Sequence, residues 1–202
     1  MRIVVVGSGG HAKVAIATAR AAGLDVAAIA DDDPARWGHR VLGVEVTGPA
    51  TAVLDDPEQL AVLAIGANRT RQRLADVARC RFATIVHPGA IVDATVGLGA
   101  GTVVFAGAVI QPDAAIGAHA IVNTGASIDH DCAIGDFVHI APGVRLAGDV
   151  ALGDGVFLGI GAVAIPGVRV GAWTTVGAGA AVVDDLPEGI VAAGVPARQL
   201  PR

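Results

Sequence analysis

Residues 98–128 read LGAGTVVFAGAVIQPDAAIGAHAIVNTGASI, with an aliphatic side chain at Leu98, Val104, Ile110, Ile116, Val122 and Ile128. The same step of six runs back through Val92 to Val86. It runs forward through Ile134, Ile140, Leu146, Leu152, Leu158, Ala164, Val170 and Val176 to Val182. Two places earlier in the unit sits a small or β-branched residue, among them Ala90, Thr102, Ala108, Cys132, Val150 and Val168. A period of six is neither the 3.6 of a helix nor the 2 of a strand. It describes short strands joined by corners, and hexapeptide periodicity is the mark of a parallel β-helix. With three hexapeptides to a coil, the repeat makes roughly five turns rising about 4.8 Å each.

Residues 1–82 follow another rule. Arg2–Val6 is an aliphatic strand running into Gly7-Ser8-Gly9-Gly10-His11, followed by a helix over about Ala12–Ala22 that Gly23 closes. A second strand, Asp25–Ala30, ends in Asp31-Asp32-Asp33. A loop with Pro34 and Gly38 leads to a short strand near Val41–Val46. Gln59–Ile65 is a further strand ending in Gly66-Ala67-Asn68, and Arg69–Ala78 is helical. Strands alternating with helices predict a small Rossmann-like α/β unit with a parallel sheet. The chain therefore divides into an α/β domain, 1–82, and a β-helix domain, 83–202. A solenoid needs both ends covered: the α/β unit is expected to close the first, and the tail from Asp184, with Gly194-Val195-Pro196, the second.

Bulk properties narrow the function classes. Apolar residues make up 53% of the 202, yet only 3% are aromatic, which suits thin stacked layers with little room for rings. A net charge of −5 and the absence of a basic run predict no nucleic-acid partner and no membrane-surface role. Two cysteines, Cys80 and Cys132, are too few for a disulfide scaffold. The apolar run Ile3–Val6 is too short for a signal peptide, and no stretch has the length of a membrane span, so a cytoplasmic location is expected.

Two regions carry candidate chemistry. The loop Gly7–Ala12 lies after a strand and before a helix, where backbone N–H groups cradle a diphosphate. Asp31 and Asp32 close the next strand, where a ribose or base edge is held. A tight turn without a ligand and a full dinucleotide site remain alternatives, the second disfavoured by a unit of only about 80 residues. In the repeat, polar residues gather at Asn123-Thr124, Ser127, Asp129-His130-Asp131, Asp136 and His139. His130 falls two places past Ile128, so it stands at a corner facing out, beside carboxylates that favour its cationic form and suit it to base catalysis near neutral pH. One coil further on is Gly148, whose bare backbone leaves room for substrate and offers an N–H to an oxyanion. His139 is half a coil from His130, so the two can meet only across a subunit interface. Cys132 takes a small inward position and is expected to be a buried hydrophobe rather than a nucleophile. His87, His119, His130 and His139 form no close ligand pair, and no metal is expected.

Taken together these motifs resemble the bacterial nucleotide-aminosugar N-acetyltransferases of the bacillosamine and perosamine type, with the related sialic-acid O-acetyltransferases. The resemblance spans nearly the whole chain and includes His87-Pro88, Gly135-Asp136 and Gly194-Val195-Pro196-Ala197. It implies a left-handed β-helix, a homotrimer with sites between subunits, and acetyl transfer from acetyl-CoA to a UDP- or GDP-linked 4-amino-4,6-dideoxy sugar. It implies nucleotide binding by Gly9, Gly10, His11, Asp31, Asp32 and Gly66, and a sugar site lined by Asn123. His130 is the implied base, Asp131 its partner, and the Gly148 N–H the donor to the thioester carbonyl. Some members carry Glu in place of Asp131. His139, Ile160, Gly167 and Ala178 match positions lining the coenzyme A site. Sugar O-acetylation and non-catalytic nucleotide-sugar binding are the alternative functions.

Overall fold

The computed structural model describes residues 1–201 and resolves the chain into two compact units that divide after Pro88. In the first unit the strands are β1 (Arg2–Val6), β2 (Asp25–Ala30), β3 (Arg40–Val41), β4 (Val44–Gly48), β5 (Leu60–Leu63) and β6 (Arg81–Phe82). The helices are α1 (Gly10–Ala21), α2 (Thr51–Leu54) and α3 (Asn68–Val77). The sheet order is β3-β4-β2-β1-β5-β6, parallel except for the β3–β4 hairpin. Alternation along β1 serves both faces. Val5 packs with Ala12, Ala15 and Ile16 of α1, while Val4 and Val6 pack with Leu54 and Leu63 on the other side. The buried residues of α1 recur at helical spacing, and the helix ends in a Schellman turn: Gly23 takes φ +76° and the Leu24 N–H donates to the Ala19 carbonyl.

The region expected to hold one strand near Val41–Val46 is that hairpin. It turns at Leu42 and Gly43, both with positive φ (50° and 81°).

The second unit is a left-handed parallel β-helix of two-residue strands recurring every six residues. Parallel partners lie 18 residues apart, as in Val103↔Ile121↔His139↔Phe157, which fixes three hexapeptides to the coil. One face carries that column, the next carries Val109, Ser127, Arg145 and Val163 outward, and the third carries Gly97, Ala115, Ala133 and Ala151. From Val104 onward every member of the aliphatic ladder is buried. From Thr102 onward the small inward set is buried too, including Thr102 and Thr174, whose hydroxyls bond to backbone of the next coil. The final coil is shorter, pairing Thr175 with Val191, and the tail folds back with Ala192 antiparallel to Gln199.

Candidate active site

In the α/β unit, the predicted nucleotide residues collect at the C-terminal ends of the parallel strands, where α/β sheets bind ligands. Gly9 is the N-cap of α1, and Gly10 and His11 open the helix. A β-carbon added to Gly9 or Gly10 would meet nothing within 4 Å, so the chain's own packing does not demand glycine there. At Gly66 an added β-carbon would lie 2.7 Å from the His11 ring, so the imidazole rests directly on that backbone. Burial, with the nearby Arg71 charge, lowers the His11 pKa and favours its neutral form.

Asp31 and Asp32 divide their work. Asp31 accepts the Ser8 N–H (2.7 Å) and hydroxyl (2.6 Å) on one oxygen and the Asp33 N–H (3.0 Å) on the other, tying the glycine loop to the end of β2. Burial pushes its pKa up, but those hydrogen bonds and the Arg36 charge outweigh it and hold the carboxyl below its usual range. Asp32 accepts the Ala50 N–H (2.9 Å) through one oxygen. A cavity of about 330 Å³ opens between Gly7, both aspartates, Ile65, Thr70 and Arg73.

In the β-helix unit His130, Asp131 and Gly148 meet at one corner. Asp131 has φ +60°, a conformation aspartate tolerates better than most residues, and this curls its carboxylate back to the preceding ring. Its Oδ2 accepts from His130 Nδ1 at 2.7 Å. The shorter aspartate thus reaches the imidazole. A carboxylate only accepts, so the proton sits on Nδ1 and Nε2 presents its lone pair. A β-carbon on Gly148 would fall 2.5 Å from His130 Cε1 and 2.7 Å from Nε2, so the ring lies flush on that backbone. The hydrogen bond to Asp131 is the main cause of a raised His130 pKa; burial opposes it, and the charges of Asp129, Asp131 and Asp149 add to the rise. The His130 side chain is 60% exposed, open to substrate.

Asn123 and His139 meet elsewhere, at 3.2 Å, both buried. Ile160 and Ala178 are exposed and stand one coil apart in the column above Thr124, next to Asn123. Gly167 belongs to the other corner: its N–H donates to the Gly148 carbonyl. One chain therefore keeps His130 and His139 at opposite ends of a face. Cys132 is 1% exposed with its thiol directed at the Ala147 carbonyl (3.2 Å), and burial pushes its pKa up.

The chain aligns over its full length with the perosamine N-acetyltransferase of Caulobacter crescentus, solved in complex with CoA and GDP-perosamine. Identity is 44%, coverage is 100% of this chain and 98% of that one, and the TM-score is 0.90. The chain belongs to the nucleotide-aminosugar N-acetyltransferases. The acetyltransferase domain of PglB from Neisseria gonorrhoeae FA1090, solved in complex with acetyl coenzyme A, is a second member alike throughout. It shows 37% identity, coverage of 98% of each chain and a TM-score of 0.91. Residues 2–78 match the family model for the PglD N-terminal domain. A 110-residue stretch is 42% identical to the UDP-N-acetylbacillosamine N-acetyltransferase of Bacillus subtilis (strain 168), spanning about half the length of that curated relative.

Several residues around this candidate site carry no distinct signal in the sequence. Ser8 reads as one more small residue of a glycine loop, though its hydroxyl anchors that loop to Asp31. Thr70 and Arg73 lie on a helix whose polar face reads as solvated, and no spacing distinguishes them. Arg71 is 1% exposed and donates to the carbonyls of Ile65 (2.9 Å) and Gly66 (3.1 Å). Burial lowers its pKa to about 10. Its position one turn after a strand-ending glycine was the available signal.

Proposed function

We propose that the protein transfers the acetyl group of acetyl-CoA to the amino group of a UDP- or GDP-linked 4-amino-4,6-dideoxy sugar, by direct attack in a ternary complex. The observation that carries this is the His130 corner: an exposed imidazole with Nδ1 bound to Asp131 and Nε2 lying over Gly148. His130 Nε2 takes the proton from the attacking amine as the nitrogen–carbon bond forms and the carbon–sulfur bond breaks. Asp131 holds the ring and favours the imidazolium that results. The Gly148 N–H, which donates to no group among the described residues, is placed to meet the charge growing on the carbonyl oxygen. Cys132 is buried with a raised pKa, which supports attack without an acyl-enzyme.

The α/β unit holds the nucleotide in this reading. Gly9 and Gly10 leave the backbone open to a diphosphate at the start of α1, and the cavity beside Asp31 and Asp32 takes the nucleoside. That relatives are solved with CoA, acetyl coenzyme A and GDP-perosamine supports both halves. In this reading the active assembly is the homotrimer that the family resemblance implies, and the separation of His130 from His139 within one chain supports sites between its subunits.

The test is direct. The protein is incubated with acetyl-CoA and UDP- and GDP-linked 4-amino-4,6-dideoxy sugars, beside hydroxyl-bearing sugars without the amine, and products are read by mass. One acetyl group gained on an aminosugar is the expected result. Acetylation confined to hydroxyls, or tight nucleotide binding with no product, rejects it.

A further inference from the structure

We propose that Asn123 fixes His139 as a neutral imidazole protonated on Nδ1, making His139 a hydrogen-bonding group of set direction and excluding it from proton abstraction. The tautomer follows from geometry alone; its consequence for turnover rests on the acetyl-transfer reading above.

The argument starts at the backbone. The Thr124 N–H donates to Asn123 Oδ1 at 2.8 Å. A peptide N–H can only donate, so the amide atom facing it is the oxygen, and the orientation of the Asn123 side chain is settled. Its Nδ2 then faces His139 Nε2 at 3.2 Å. An amide NH₂ can only donate, so Nε2 must offer its lone pair, and the ring proton resides on Nδ1. Both side chains are buried, at 8% and 5% exposure, so water is poorly placed to replace either partner. Putting a proton on Nε2 would set two donors against each other in a site of low dielectric, which costs far more than the same clash in water. The ring has little freedom to turn away. It stands in a column between Ile121 and Phe157, and the Phe157 ring meets it edge-on, at 5.2 Å between centroids and 90° between planes.

The contrast with His130 gives the arrangement its meaning. Both histidines carry the proton on Nδ1. At His130 the partner on Nδ1 is a carboxylate and Nε2 is open, so the ring can take a proton and the resulting charge is stabilised. At His139 the Nε2 lone pair is already committed to Asn123, and the neighbour there is a donor. Asn123 is accordingly a positioning residue that acts through His139.

Long-range ¹H–¹⁵N correlation spectra of the ¹⁵N-labelled full chain test this, with His139 assigned by its loss in His139→Gln. The expected wild-type pattern at neutral pH is a protonated Nδ1 and a bare Nε2. In Asn123→Asp the facing group becomes an acceptor of nearly the same shape, and the pattern is expected to invert to Nε2–H. In Asn123→Ala, which keeps the readout available should the aspartate disturb folding, the fixed tautomer is expected to give way to a mixture. A wild-type Nε2–H signal, an imidazolium at neutral pH, or a pattern unchanged in both variants overturns the proposal. In kinetics, Asn123→Asp is expected to raise the KM for acetyl-CoA about tenfold, the scale of one misdirected hydrogen bond, with a smaller change in kcat. A protein that acetylates no aminosugar yet shows the inverted spectrum removes the catalytic reading and leaves this one standing.

Discussion

At the scale of single residues, His130 and the backbone beneath it carry the sharpest expectations. General-base catalysis contributes typically 10²–10⁴-fold, so His130→Ala should lose about that much turnover while coenzyme A binding, measured by calorimetry, survives. Near-normal turnover in that variant removes the assignment. The pH profile gives a separate check. The Asp131 hydrogen bond favours the imidazolium and raises the pKa, so the base form exists only above that raised value. Activity should therefore fall as pH drops through a point higher than an ordinary histidine would give. In Asp131→Asn the limb should move to lower pH, and a limb that stays in place argues against the pairing. Gly148→Ala places a methyl where the ring now lies. A displacement near 1 Å can cost about 10²-fold in rate, and the variant should show a loss of that order in kcat with folding intact by circular dichroism.

At the scale of elements, what the sequence made legible follows from how local each constraint is. The hexapeptide ladder was readable because every corner is tight and every inward position is filled by one small set of residues. The register was readable with it, and so was the meeting of His130 with Gly148 one coil later. The β3–β4 hairpin was not readable, because Leu42-Gly43 carries positive φ without a strong turn dipeptide. The four-residue α2 is too short to show a period. Arg71 was hidden because a charge on a helix ordinarily faces water, whereas this one satisfies two loop carbonyls from below. The ladder and that clamp should respond differently to truncation. Ile128→Ala opens a cavity inside stacked coils and should cost about 2–5 kcal/mol in chemical denaturation. Arg71→Met removes the donor to the Ile65 and Gly66 carbonyls, and unsatisfied buried groups cost about 1–3 kcal/mol. That loss should come with weaker binding of UDP and GDP, since the same loop carries Gly66 against His11. Unchanged nucleotide affinity would show that the clamp serves folding alone.

At the scale of the whole molecule, the placement of the two histidines makes a claim about assembly that kinetics can decide. His130 lies at the corner following Ile128, and His139 on the strand entering the preceding corner of the next coil, so the length of a face separates them within one chain. If both serve one reaction centre, they come from different copies in a closed ring. A chain carrying His130→Ala and a chain carrying His139→Ala should each be slow by themselves. Co-expressed as differently tagged chains, they form mixed rings in which some interfaces receive an intact His130 from one copy and an intact His139 from its neighbour. For random mixing in a closed cyclic assembly about a quarter of the interfaces are restored, so activity should recover toward that fraction. A site built within a single chain cannot recover at all, because every chain in the mixture lacks one histidine. Purification through both tags in sequence isolates mixed rings and makes the comparison clean. Recovery there, set against none when the purified variants are combined without exchange, places the reaction between subunits.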